Sequence, residues 1–133
     1  MNKPTLYLIR GVPGSGKTTF ANTLNRYLMV DRVYEADQFF YDAGYYKFDA
    51  SKLSDAHEQC QRNTRQALSE GLSVAVSNTS CTSWEVATYE MIAKELDVNF
   101  VSIIVENRHF HDSIHDVPQE KVEQMKRKFH IKL

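Results

Sequence analysis

Short apolar runs alternate with longer stretches of helical periodicity along the 133-residue chain. The runs predict four strands, at residues 5–10, 32–37, 72–78 and 99–106. The stretch that follows the second run is rich in aromatic residues and contains Asp-Ala-Gly. It therefore predicts an irregular connection with a turn at Gly44.

Helices are predicted between the runs, at about residues 16–27, 52–71 and 83–96, and again from Pro118 onward. In the second helix, small and apolar residues recur at three- and four-residue steps. Ser51 is its predicted N-cap and Gly71 its predicted end. The apolar stripe predicted for the first helix consists of Phe20, Leu24, Tyr27 and Leu28. The inward side chains predicted for the last helix are Val122, Met125 and Phe129.

This alternation of strands and helices predicts an α/β fold in three layers. Strands that are apolar throughout favour a short, mostly parallel sheet of about four strands, covered by helices on both faces. Ligands of such sheets bind at the carboxyl ends of the strands. The segments expected at that edge are Gly11–Thr19, Asp37, Asn78–Ser80 and Glu106–Arg108.

The composition is that of an ordinary globular protein, and residues 1–133 are expected to form one domain. Net charge is −1, so nothing in the overall charge attracts the chain to nucleic acid or to an anionic membrane. No apolar run is long enough to span a membrane, and we expect no membrane partner. Cys60 and Cys81 lie in no metal-binding spacing and are expected to be reduced thiols of a cytoplasmic protein.

The stretch GVPGSGKTT, residues 11–19, matches the phosphate-binding pattern GxxxxGK[ST] between a predicted strand and a predicted helix. Gly11, Gly14 and Gly16 are expected to allow the backbone angles that turn successive N–H groups inward. Lys17 would bind the outer phosphates, and Thr18 would supply an oxygen to Mg²⁺. The predicted nucleotide-binding residues are Gly11, Val12, Pro13, Gly14, Ser15, Gly16, Lys17, Thr18 and Thr19.

The nucleotide is expected to be ATP, bound with Mg²⁺. The chain contains neither Asn-Lys-x-Asp, which reads guanine in switch GTPases, nor Asp-x-x-Gly. A P-loop NTPase fold of kinase or ATPase type is therefore favoured over a switch GTPase.

Asp37 is the last residue of the second predicted strand and is expected to lie next to the phosphate cradle, residues 11–19. It could accept the proton of an acceptor hydroxyl or hold a water bound to Mg²⁺, or it could be a turn or N-cap aspartate. The third strand ends Ser-Asn-Thr-Ser without an acid. Asn78 could bind a metal-bound water or the substrate, or be a turn asparagine. A Mg²⁺ ion would then depend on Thr18, the phosphates and Asp37.

Several segments together resemble the small P-loop ATP-binding kinases related to polynucleotide kinases. They are LYLIRGVPGSGKTTFANTL, EADQFFY, AHEQCQRNTRQAL, VSNTSCTSWEVATYEMIAKE and IHDVPQEKVEQMKRKF. The resemblance is to the AAA-domain, kinase-like domains of the NEDD-four-binding-protein type, and more distantly to phage 5′-hydroxyl polynucleotide kinases and zeta-type toxins. It covers nearly the whole chain.

The resemblance implies roles for particular residues. Asp37 falls on the catalytic aspartate of the family, although Gln38 follows where a second acid is common. His57, with Arg62 or Arg65, would line the acceptor side; His57 could equally be a core-facing polar residue. Other matches to the family pattern are Asn78, Thr79 and Ser80, and His115, Val117 and Pro118.

The family usually has a longer lid with several arginines before its last helix. Here the corresponding stretch, around residues 106–117, is short and contains one arginine, Arg108. An arginine at this place would neutralise charge that develops on the transferring phosphoryl group. The catalytic residues implied are therefore Lys17, Asp37 and Arg108.

Two hypotheses on function follow. The first is a phosphotransferase that moves the γ-phosphate of ATP to a nucleoside, a nucleotide or a nucleic-acid 5′ end. The second is a weakly catalytic ATP-binding module that presents a surface to a partner. The aromatic residues after Asp37 could stack on a base or pack in the core. They are Phe39, Phe40, Tyr41, Tyr45, Tyr46 and Phe48.

Overall fold

The computed structural model describes residues 3–78 and 83–106, and in this part of the chain strands alternate with helices. The strands are β1 (Thr5–Arg10), β2 (Arg32–Tyr34), β3 (Tyr41–Asp42), β4 (Tyr45–Tyr46), β5 (Val74–Ser77) and β6 (Asn99–Ile104). The α-helices are α1 (Lys17–Arg26), α2 (Leu53–Ser69) and α3 (Ser83–Glu95). Two short 3₁₀-helices cover Ala36–Phe40 and Ala50–Lys52.

Four strands form one parallel sheet in the order β2-β5-β1-β6. β1 is central, with Leu6 opposite Val74 of β5 on one side and Phe100 of β6 on the other. All four strands therefore end at the same edge, where the loop after β1 begins. This arrangement confirms the predicted α/β fold.

The two faces of the sheet are covered by different helices because successive side chains of a strand point to opposite sides. On one face, Leu6 and Leu8 pack with buried side chains of α2 and α3. On the other face, Ile9 packs with Ala21 and Leu24 of α1. Helix, sheet and helix thus make the three predicted layers.

The second strand is shorter than predicted. It ends at Tyr34, and Asp37 lies in the first turn of the 3₁₀-helix that follows. Gln38 stabilises this start because its Oε1 accepts a hydrogen bond from the Glu35 backbone N–H at 3.2 Å. The strand prediction failed here because an apolar run does not reveal a side chain that returns to cap the backbone.

The connection between β2 and α2 contains a hairpin, β3–β4, where the sequence predicts irregular structure. Ala43 and Gly44 both have positive φ, 51° and 86°, as a tight two-residue hairpin turn requires. The predicted turn at Gly44 is therefore confirmed.

The predicted ends of the helices are partly confirmed. Gly71 follows α2 with a φ of 88° and donates its N–H to the carbonyl of Leu68, so it ends the helix as predicted. Ser51 is not the N-cap, because Asp49 Oδ1 accepts hydrogen bonds from both the N–H and the hydroxyl of Ser51.

Two further helix predictions have different outcomes. Tyr27 and Leu28 do not belong to the buried stripe of α1, since both lie beyond its last turn and are exposed. The predicted last helix lies outside the described residues. In the described part of the chain, no helix has both the length and the apolar character needed to span a membrane.

Candidate nucleotide-binding site

The loop after β1 has the shape of a phosphate cradle. Gly14 and Gly16 have φ values of 82° and 99°, which side chains with a Cβ rarely adopt. The N–H of Ser15 donates to the carbonyl of Val12 at 3.1 Å, and this bond closes the loop. Helix α1 begins at Lys17, directly after the loop, so the positive end of its dipole lies beside the cradle.

Gly11 is needed for space rather than for its backbone angles. It has no positive φ, unlike Gly14 and Gly16. A Cβ at this position would collide with Ser15 Oγ and would lie 2.7 Å from the carbonyl oxygen of Val105. The sequence-based explanation for this glycine was therefore wrong: it lets the loop approach the end of β6.

Two side chains of the loop have polar groups suited to a phosphate. Ser15 Oγ is buried and has no hydrogen-bond partner in the described part of the chain. Lys17 is half-buried, and its Nζ donates to the carbonyl of Val12 at 3.2 Å. A buried hydroxyl without a partner is costly, and a phosphate oxygen would satisfy it.

Thr18 makes a contact that the sequence analysis did not anticipate. Its hydroxyl donates a hydrogen bond of 2.7 Å to the carboxylate of Glu35, directly after β2. The sequence does not mark Glu35 for this contact, because the acid that matches the family pattern is Asp37. The available signal is that Glu35 is the first acid of the second predicted strand, residues 32–37.

Asp37 faces the β3–β4 hairpin. Its carboxylate accepts a hydrogen bond from the hydroxyl of Tyr46 at 3.4 Å. Partial burial, followed by the negative charge of Asp37 and this hydrogen bond, raises the pKa of Tyr46. Glu35 and Asp37 thus have different partners: the first contacts the loop and the second contacts the hairpin.

Asn78 is a buried bridge between elements. Its Oδ1 accepts from the Ala36 N–H at 2.8 Å, and its Nδ2 donates to the Tyr89 hydroxyl at 3.3 Å and to Cys60 Sγ at 3.7 Å. Burial raises the pKa of both Cys60 and Tyr89, which keeps both groups protonated. The carboxamide is therefore committed to protein partners, which disfavours the predicted contact with a metal-bound water or substrate.

The structure does not bring all three predicted acceptor-side residues of α2 to the cradle. His57 is half-buried, one turn before Cys60. Arg62 is exposed on α2, and its guanidinium donates to Gln59 on the same helix. Arg65 forms a 2.7 Å ion pair with Glu95 at the end of α3, near the start of β6 and thus towards the opposite edge of the sheet. Arg108, Thr79, Ser80 and the segment 107–117 lie outside the described residues.

The aromatic residues of segment 39–48 divide into buried and exposed ones. Phe40 is buried and lies 5.0 Å from the ring of Phe48 and 5.3 Å from that of Phe39. Tyr41 and Tyr46 pair at 5.2 Å on the surface, and Tyr45 is 72% exposed. Core packing is thus confirmed for Phe40 alone, because Phe39 and Phe48 keep much of their surface.

The parallel sheet and the glycine-rich loop at its carboxyl edge define a P-loop, kinase-like nucleotide-binding fold. The model of the AAA domain family AAA_33 matches residues 6–131, and the chain belongs to this family. This confirms the family resemblance inferred from the sequence.

Individual proteins agree with this assignment. Human NEDD4-binding protein 2 is 34% identical over 91 residues, which are 68% of this chain and 5% of that protein. The chain thus spans a small part of the length of this relative.

Two solved structures have a similar fold. Kti12 from Chaetomium thermophilum in complex with ADP-AlF3 has a TM-score of 0.73 at 17% identity, over 95% of this chain and 80% of that one. The APS kinase CysC of Mycobacterium tuberculosis in complex with AMPPNP and APS has a TM-score of 0.63 at 16% identity, over 93% of this chain and 69% of that one.

Proposed function

We propose that this domain transfers the γ-phosphoryl group of ATP to an acceptor hydroxyl or phosphate. The observation that carries the proposal is the Thr18–Glu35 hydrogen bond, which ties the segment containing Asp37 to the phosphate loop. Phosphoryl transfer requires donor phosphates and an acceptor-orienting group side by side. The nucleotides bound to Kti12 and to the APS kinase support ATP as the donor.

The residues have the following roles in this proposal. Loop amides and Lys17 bind the β- and γ-phosphates. Asp37 takes the proton of an acceptor hydroxyl while that oxygen bonds to the γ-phosphorus and the bond to the ADP oxygen breaks. Arg108 neutralises charge on the transferring group. Lysine, arginine and a correctly placed carboxylate are the groups that phosphoryl transfer commonly uses.

The oxygens of Thr18 and Glu35 fit Mg²⁺, which prefers hard oxygen ligands together with substrate phosphates. Thr18 would hold the ion, with the nearby carboxylate adding negative charge. When bound, Mg²⁺ neutralises part of the phosphate charge.

The acceptor in this proposal is a nucleoside, a nucleotide or a nucleic-acid 5′ end. The exposed rings of Tyr41 and Tyr46 lie on the hairpin that contacts Asp37, and exposed aromatic rings stack on bases. His57 and Arg62 remain proposed acceptor-side residues, whereas Arg65 does not because of its ion pair with Glu95.

The test is transfer of label from γ-labelled ATP to a panel of nucleosides, nucleoside monophosphates and 5′-hydroxyl oligonucleotides. Asp37→Asn should lower the transfer rate by roughly 10²–10⁴-fold, the usual contribution of a general base, and should leave ATP binding intact. Asp97→Asn is the matched control, since Asp97 is exposed, pairs with Lys3 and follows α3 near the opposite edge of the sheet. Normal transfer by the Asp37 variant would refute the role of that residue.

A second candidate is an ATP-binding module with little chemistry. It is favoured by the position after β5, where Asn78 stands in place of an acid and its amide bonds to Ala36, Cys60 and Tyr89. Tight ATP binding without label on any acceptor and without ADP release would decide for the module.

A further inference from the structure

P-loop proteins commonly place a carboxylate near the metal at the end of a strand beside the loop. Here β5 occupies the place next to β1; it ends with Ser77, and Asn78 follows it. Neither has a carboxylate, and the Asn78 amide is bonded to Ala36, Cys60 and Tyr89. If a carboxylate acts at the metal, it must come from another element.

Glu35 lies on the neighbouring element. β2 pairs with β5 up to Tyr34 and Val76, so Glu35 leaves the sheet next to Ser77. Its carboxylate is the acceptor of the 2.7 Å bond from the Thr18 hydroxyl. The side chain of Gln38 fixes the backbone that leads into Glu35. Its Oε1 accepts a hydrogen bond from the Glu35 N–H, and its Nε2 donates one to the Val33 carbonyl at 3.3 Å.

This bond has a consequence for the hydroxyl of Thr18. A hydroxyl has one proton and two lone pairs, and its proton rotates towards the best acceptor. With the proton directed at Glu35, both lone pairs of Thr18 Oγ1 remain available to a cation. Carboxylates that orient a metal ligand in this way typically contribute 10- to 100-fold to metal affinity.

We infer that Glu35 is the positioning carboxylate of the Mg²⁺ site, acting through Thr18 in place of the acid that β5 lacks. The inference rests on the proposed function. It assigns the two acids of one segment to different tasks: Glu35 acts on the metal side and Asp37 on the acceptor. It replaces the sequence-based expectation that Asp37 contributes to the metal.

The test compares ATP affinity, measured by calorimetry, with excess EDTA and with excess MgCl₂. Glu35→Gln should keep its affinity in EDTA, or gain slightly because a negative charge near the phosphates is removed. It should lose about tenfold or more of the gain that Mg²⁺ gives the wild-type chain. Glu58→Gln, an exposed glutamate on α2, is the matched control and should behave like wild type.

A double-mutant cycle tests whether Glu35 acts through Thr18. Thr18→Val should lose the Mg²⁺-dependent gain, and adding Glu35→Gln should lower it little further, because the two residues act as one unit. Thermal unfolding of each variant, together with the EDTA affinity, separates loss of the metal effect from loss of the fold.

The outcomes are distinct. An unchanged Mg²⁺ gain in Glu35→Gln would overturn the inference while leaving the proposed function intact. The inference would also be overturned if Asp37→Asn lost the Mg²⁺-dependent gain in ATP affinity and Glu35→Gln kept it. Absence of ATP binding by the wild-type chain, with or without Mg²⁺, would instead refute the proposed function itself.

Discussion

The phosphate loop and the acid-bearing segment beside it are built in different ways. The loop, residues 11–19, is shaped by its own backbone, with Ser15 and Lys17 both bonded to the carbonyl of Val12. The segment from Glu35 to Phe48 is positioned by a residue distant in the chain: its Ala36 N–H donates a hydrogen bond to Asn78, 42 residues away. The loop is thus a local structure, whereas the position of Asp37 depends on tertiary contacts.

Substitutions in the two regions should therefore have different effects. Changes in the loop should act first on nucleotide affinity, because the loop is the donor side itself. Changes in the contacts around residues 36–48 should act first on stability and on turnover, because they move Asp37 without touching the phosphates. Glu35 is the exception, since its carboxylate contacts the loop.

The largest effect on nucleotide affinity is expected for Lys17→Ala. This change removes a charge-assisted bond to phosphate worth about 1.5–3 kcal/mol, so the Kd for ATP should rise roughly ten- to a hundredfold. Calorimetric titration with ATP measures it. Lys94→Ala, in the last turn of α3, is the control and should bind ATP normally. Unchanged ATP affinity in the Lys17 variant would refute the role of the loop in binding the phosphates of ATP.

Gly11→Ala should destabilise the chain by about 2–3 kcal/mol, because the new methyl group meets a backbone carbonyl that cannot rotate away. It should also weaken ATP binding by displacing Ser15. Gly71→Ala is the matched control: its φ of 88° costs about 1–2 kcal/mol, but a Cβ there meets no atom within 4 Å in the described part of the chain, its chain neighbours apart. Equal ATP affinity in both variants would show that the loop tolerates displacement.

The sequence predicts the loop well because its geometry depends on glycines and a lysine at fixed spacing. The fold follows from the alternation of strands and helices for a similar reason, since both depend on local patterns. What the sequence did not predict are the pairs Thr18–Glu35 and Asn78–Ala36. Each joins residues that are distant in the chain, and no local pattern marks a side chain for such a partner.

Asn78→Ala should destabilise the chain by about 1–2 kcal/mol, because the buried Ala36 N–H loses its acceptor. Asp37 is the next residue, so kcat should fall more than the affinity for ATP. Chemical denaturation and transfer assays measure the two effects. Asn63→Ala on α2 is the control, since it removes the hydrogen bond from Gln59 on the same helix. A Kd for ATP that changes as much as kcat would contradict the separation of the two regions.

The smallest effect is expected at Tyr46, whose hydroxyl contacts Asp37 on the surface of the hairpin. Tyr46→Phe should change stability by only a few tenths of a kcal/mol, because the bond is exposed. Its pKa gives a sharper measurement. Since burial and then Asp37 raise this pKa, Tyr46 should remain protonated past pH 10, the ordinary tyrosine value. Subtracting the phenolate absorbance of Tyr46→Phe from that of the wild-type chain isolates its titration.

In Asp37→Asn the Tyr46 midpoint should fall part of the way towards 10, because the charge is lost and the burial remains. The control measures the Tyr46 midpoint in the same way in Asp42→Asn, by comparing this variant with and without Tyr46→Phe. Asp42 lies on the same hairpin but pairs with Lys47. Equal midpoints in the Asp37 and Asp42 variants would mean that the hairpin does not hold Tyr46 against Asp37. The acceptor side would then lack the hydrogen bond between the proposed base, Asp37, and the exposed ring of Tyr46.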